Sequence, residues 1–152
     1  MVHEFMLEPG QWLGEGTIKF TESPDWLKYH CRWTVEEAED GVITAVQEVE
    51  VEGVPEKMEN TFTFADISTE KFVVHLSNAL LGEIDGSGVV DDKVVAWEFR
   101  GTDEYGFEGF EIYERNPEGG YNVRAEFASA DQLRTIVQGS IWKSSSSKKS
   151  EQ

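Results

Sequence analysis

The sequence predicts an all-β protein, a single antiparallel up-and-down β-barrel of about ten strands. Three observations carry this. Apolar and polar residues alternate with a period of two almost everywhere between Trp12 and Lys143, the mark of half-buried strands. Turn-forming clusters separate the runs at short intervals. No stretch has room for a long amphipathic helix. Short turns make consecutive strands antiparallel neighbours, and so long a meander with one apolar face has to split into two sheets or close on itself.

The first strand is expected over 11–20. Trp12, Gly14, Gly16, Ile18 and Phe20 share one face, with Leu13, Glu15, Thr17 and Lys19 on the other. Inward glycines mark a sharp bend or a close approach of other atoms, and barrel closure needs bends. Two readings stand: curvature alone, or curvature with interior space left for a ligand. Trp12 would plug one end.

The second strand, 27–37, has the clearest pattern: Leu27, Tyr29, Cys31, Trp33 and Val35 alternate with Lys28, His30, Arg32, Thr34 and Glu36. It follows "ESPDWLKY", one of two places for a short helix. The turn Glu39-Asp40-Gly41 leads into the third strand, 42–52. There Glu48 and Glu50 share a face with Val42, Thr44 and Val46, which suggests that the strand leaves the core at its end. The fourth, 55–65, turns Met58, Asn60, Phe62 and Phe64 inward. The fifth, 71–77, sets His75 with Lys71 and Val73, opposite Phe72, Val74 and Leu76, so His75 reads as a surface residue. "SNALLG" is the second short-helix candidate. The sixth strand, 80–89, contains the turn signal Asp85-Gly86-Ser87-Gly88.

The seventh strand, 93–101, alternates Val95, Trp97 and Phe99 with Ala96, Glu98 and Arg100. The eighth, 105–115, has two registers. Either Phe107, Gly109, Glu111 and Tyr113 face inward, or Phe110 and Ile112 do. The second makes Glu111 an ordinary surface glutamate and is preferred. The first makes it a lumenal carboxyl with a raised pKa, a candidate acid or ligand anchor. The ninth, 121–128, turns Tyr121, Val123, Ala125 and Phe127 inward. The tenth, 132–143, is apolar on both faces, which leaves Arg134 undecided.

The chain has 152 residues, the size of one domain. The barrel is expected over 1–143, with 144–152 a polar, low-complexity, disordered tail. The net charge of −17 comes from 13 Lys+Arg against 30 Asp+Glu. Such a chain repels phosphate backbones and anionic bilayers, so neither nucleic acid nor membrane is an expected partner. Cys31 is alone, which excludes an intrachain disulfide. "MVHEFMLEPG" does not read as a secretory signal, and no apolar run would span a bilayer as a helix. A cytoplasmic location is expected.

No G-x-S-x-G, P-loop, H-E-x-x-H or C-x-x-C motif is present. Cys31 reads as a small apolar filler, and adjacent His30 points the opposite way. The residues expected around a lumen are Trp12, Gly14, Gly16, Tyr29, Trp33, Asn60, Phe62, Trp97, Phe99 and Tyr121. Asn60 is the one polar amide among them, as suits a small-molecule pocket. Arg32, Arg100 and Arg124 fall on outward positions. No catalytic or metal-ligating set emerges.

Gly10-Gln11-Trp12 resembles the G-x-W signature of the calycin group, which includes lipocalins and fatty-acid-binding proteins. The longer G-x-W-x-G-x-G of Gly10, Trp12, Gly14 and Gly16 is similar to the opening of nitrobindin-like barrels, which are also ten-stranded meanders. The resemblance implies a ligand-holding barrel. In lipocalins a late-strand arginine packs across this tryptophan, a place Arg134 would take. Nitrobindins bind haem through a histidine near the C-terminal end of the barrel. This chain has only His3, His30 and His75, with Gln138 and Ser140 in its last strand. Of residues able to reach iron from inside, only Cys31, Tyr29, Tyr113 and Tyr121 remain, and Tyr29 and Trp33 crowd Cys31. No haem, and no other cofactor, is expected.

These readings favour a cytoplasmic binding protein for a small hydrophobic or aromatic molecule. One alternative is a calycin-type enzyme, an isomerase or a chromophore lyase, using Glu111 or Cys31. Another is a ligand-free interaction module with Leu13, Val49 and Val51 as its contact surface. A homodimer is compatible with each.

Overall fold

The computed structural model describes residues 3–79, 82–100, 107–129 and 134–144. They form ten strands and, among the described residues, no helix. The strands are β1 (Gly10–Phe20), β2 (Leu27–Val35), β3 (Ile43–Val51), β4 (Met58–Ala65), β5 (Lys71–Asn78), β6 (Gly82–Val90), β7 (Val94–Phe99), β8 (Glu108–Arg115), β9 (Tyr121–Ala128) and β10 (Arg134–Lys143). Each pairs antiparallel with the next, and β10 returns to β1, which closes an up-and-down barrel. This architecture is compatible with a calycin-like barrel. Alternation decides the wall: inward residues are mostly apolar, outward ones mostly charged or Thr.

The turns follow their residues. Asp40 and Gly41 both have positive φ, 53° and 80°, the backbone of a tight hairpin turn, and Glu39 and Val42 exchange backbone hydrogen bonds around them. Asp91 accepts the backbone N–H groups of Lys93 (2.9 Å) and Val94 (2.8 Å) through Oδ1, which holds its pKa down.

Four expectations change. "ESPDWLKY" forms turns and the start of β2 rather than a helix. In "SNALLG", Ser77 and Asn78 finish β5, while Leu80 and Leu81 lie outside the described residues. Asp85 to Gly88 run through the middle of β6 rather than forming a turn; Gly88 lacks a side chain where the Phe72 ring lies against it. Finally, β3 does not leave the wall. Val49 and Val51 are buried, because Ile43, Ala45 and Gln47 continue the same inward face.

The β1–β10 seam answers the question of the inward glycines. Gly16 stands opposite Gly139, and a Cβ on Gly16 would strike the Gln138 carbonyl oxygen and lie 2.5 Å from the Gly139 Cα. A Cβ on Gly14 would lie 2.6 Å from Cys31 Sγ and 2.8 Å from Ile141 Cγ2. The glycines let strands and side chains approach closely; at Gly14 the space is already taken.

One end of the barrel is stoppered by the segment before β1. Phe5 and Met6 are fully buried. The Phe5 ring packs against Trp12, Trp33, Tyr113 and Tyr121, with centroids 4.7–5.6 Å away. His3, also buried, donates from Nε2 to the Asp91 carbonyl (2.5 Å), so Nδ1 accepts from the Tyr121 hydroxyl (2.7 Å). Arg134 is not across Trp12; it is exposed and bonds Glu126 at 2.9 Å. The barrel wall reaches one residue past Lys143, where the Ser144 N–H donates to the Gln11 carbonyl. The remainder of the expected tail, 145–152, lies outside the described residues.

Candidate functional site

The ten strands do not fill their interior evenly. Trp97 on β7 packs with Phe64 and Phe72 into a solid block, while Phe99 on the same strand packs on Phe107. Across the barrel the inward side chains are smaller: Val123 and Ala125 on β9, Val137 and Gly139 on β10, Gly14 and Gly16 on β1, Cys31 on β2, Val49 on β3. The difference leaves a cavity of about 300 Å³. It reaches the end of the barrel opposite the Phe5 stopper, where Phe20, Met58, Asn78 and Thr135 line it and are only half-buried.

Of the residues expected around a lumen, Tyr29, Trp33, Asn60 and Phe62 line this cavity. The other six do not. Trp12 and Tyr121 pack at the stoppered end, Trp97 belongs to the aromatic block, Phe99 packs on Phe107, and Gly14 and Gly16 lie in the seam. The indole N–H groups of Trp12, Trp33 and Trp97 are buried without a hydrogen-bond partner, at a cost of about 1–3 kcal/mol each.

Two polar features line the cavity. The first is a ladder of amides across three adjacent strands. Gln47, Asn60 and Asn78 are direct register partners on β3, β4 and β5. Asn78 Nδ2 donates to Asn60 Oδ1 (2.5 Å), and Asn60 Nδ2 donates to Gln47 Oε1 (2.9 Å). Gln47 in turn faces the Cys31 thiol and draws its pKa down.

The second is Glu111. The preferred surface register for β8 is overturned: Phe107, Glu111 and Tyr113 are buried and face inward, while Phe110 and Ile112 are on the outer face, half-buried. Glu111 is only 5% exposed. It stands between Trp97 on β7 and Ala125 on β9, and the small Ala125 leaves room beside the carboxyl. Its Oε1 accepts the Tyr113 hydroxyl at 2.6 Å. Burial pushes its pKa from the ordinary 4.5 to about 7; the Tyr113 hydroxyl opposes that rise, and so does the Trp97 indole, whose N–H faces the carboxylate short of good hydrogen-bond geometry.

Burial, then the Glu111 charge, pushes Cys31 up to about 12 despite Gln47. Burial first, with neighbouring acidic groups behind it, also holds Tyr29 and Tyr113 above their ordinary values. All three are therefore neutral at neutral pH. His75 is on the outer face, held by Asp85 (2.6 Å) and Glu83 (3.0 Å); the Asp85 hydrogen bond leads in raising its pKa, against burial, with Glu83 adding to the rise. Among the described residues no cluster of three His, Cys, Asp or Glu is placed to hold a metal ion.

Sequence reasoning passed over Gln47 and Asn78 and set Glu111 on the wrong face. The signal for the amides was present. Gln47 falls midway in the alternation Ile43, Ala45, Gln47, Val49, and Asn78 is two past Leu76. No protein-family profile matches the chain, and no curated protein matches it.

Proposed function

We propose that this protein binds a small aromatic or hydrophobic molecule inside a calycin-like barrel, within the cell. The observation that supports this reading is a cavity that combines apolar walls with a few converging polar groups, the composition of small-molecule sites. Trp33, Phe62, Val123 and Leu76 offer apolar surface, while the amide ladder and Glu111 fix orientation. A dry apolar cavity of about 150 Å³ holds benzene, so twice that volume suits a ligand of about a dozen heavy atoms. The chain charge of −17 serves solubility in this reading.

Titration with the neutral fluorophore naphthol tests it, with native mass spectrometry of protein from its own cells beside it. Saturable one-to-one binding is expected, and it is lost in Ala125→Leu, which fills the space beside Glu111. No saturable response, and no retained molecule in the spectrum, would overturn the reading.

A second reading is an enzyme in the same cavity. The pKa of Glu111, about 7, supports it, since a general acid or base works best near ambient pH. Its other support weakens, because a thiol pushed up to about 12 supplies almost no thiolate. The interaction-module reading loses Val49 and Val51 to the interior.

A further inference from the structure

We infer that the cavity selects a flat aromatic molecule carrying a basic nitrogen, bound as its cation with the nitrogen against Glu111. The inference rests on the binding reading above and narrows it to one chemical class.

Among the described residues lining the cavity there is no lysine, arginine or histidine. The only other titratable side chains there, Tyr29, Cys31 and Tyr113, are all held neutral. Glu111 is therefore the one group on the wall that can carry a full charge, about half ionised at its value of about 7 and ionised above it. The groups that face it are Tyr113 from its own strand, Trp97 from β7, and Cys31 and Tyr29 from β2; Ala125 flanks it from β9. None of these is cationic.

The carboxyl is also short of donors. Tyr113 supplies Oε1, and the only other donor facing the carboxyl among the described residues, the Trp97 indole N–H, falls short of good hydrogen-bond geometry. A buried carboxylate with too few donors is costly. A protonated nitrogen supplies the missing donor and the missing charge together. An anionic ligand meets an uncompensated carboxylate. A neutral ligand leaves Glu111 holding its own proton.

The walls suit the rest of such a molecule. Trp33, Phe62 and Tyr113 line the same cavity, and aromatic faces attract a cation. The Tyr29 hydroxyl lies against Gly139 and has no protein partner among the described residues, so it can serve a polar group on the ligand. The net charge of −17 draws cations toward the barrel from a distance.

The test is calorimetric titration of the full chain with three indoles that share one scaffold: tryptamine, a cation; tryptophol, neutral; and indoleacetate, an anion. At about pH 8, above the Glu111 value of about 7, tryptamine should bind at least about tenfold tighter than tryptophol. Indoleacetate should bind weakest. Acidification to about pH 5.5 protonates Glu111 while tryptamine stays charged, so the tryptamine preference should collapse. Glu111→Gln should lose it at both pH values and still bind tryptophol. Should that variant fail to fold, the wild-type pH profile reads the same charge. Tryptophol or indoleacetate bound as tightly as tryptamine at about pH 8 overturns this inference and leaves the binding reading intact. No binding of any indole, together with no response to naphthol, overturns both.

Discussion

Glu111 shows how one residue can be misread and why. In "GFEGFEIYE" both faces of the strand offer aromatic and aliphatic side chains, so alternation gives no parity. A general preference for solvated glutamate then decides wrongly. The deciding information is on the neighbouring strands: Trp97 and Ala125, both inward, are its direct register partners. Asn60 was legible because its own strand alternates without ambiguity. The buried carboxyl has a consequence for stability. Its pKa is higher in the folded state than in the unfolded chain, so the native protein holds a proton that the unfolded chain has released. Stability from this group is full below about pH 4.5 and declines as pH rises to about 7. The rise from 4.5 to about 7 corresponds to about 3 kcal/mol at 1.36 kcal/mol per pH unit. Glu111→Gln has no such slope. Urea unfolding of both proteins from about pH 4.5 to pH 8 should show the variant gaining on the wild type by an amount of that order. A constant difference across the range would mean that Glu111 titrates normally.

Strands were the most legible level. Turn clusters and period two placed all ten within a few residues, since each signal is local. One element escaped, and one placed strand carried a false turn signal. The stopper of His3, Phe5 and Met6 has no period and shows its meaning only when the barrel end is there to receive it. β6 carries glycines at 86 and 88 that look like a turn, because Phe72, which lies against Gly88, belongs to another strand. The seam strand gives a sharp comparison. A methyl at Gly14 most closely meets two side-chain atoms, Cys31 Sγ and Ile141 Cγ2, which have some freedom to move, and the backbone oxygen of Ser140 only at 3.1 Å. A methyl at Gly16 meets the backbone of β10, which has little. Gly14→Ala should therefore cost about 1 kcal/mol and Gly16→Ala about 3 kcal/mol or more. Denaturant midpoints followed by tryptophan fluorescence would measure both. Equal costs would show that the seam yields as easily as a side chain.

The closed barrel was legible as a whole, because a long one-faced meander has few other solutions. The cavity was not. It is a small difference between the volume ten strands enclose and the volume their side chains fill, and no single strand contains that quantity. Closure itself has a kinetic side. Pairing β1 with β10 joins segments at opposite ends of the fold, and such non-local contacts slow folding into the millisecond-to-second range. Stopped-flow refolding should fall there; a relaxation within microseconds would contradict a barrel that folds by closing its seam. Deleting β10 should leave β1 and β9 as open edges and produce aggregation. The same topology imposes a wait during protein synthesis. At roughly 5–20 residues per second, β10 leaves the ribosome on the order of ten seconds after β1. Throughout that interval the nascent chain carries a β1 edge without its final partner, and Glu15 and Lys19, the charges along that strand, are what discourage another chain from taking the place.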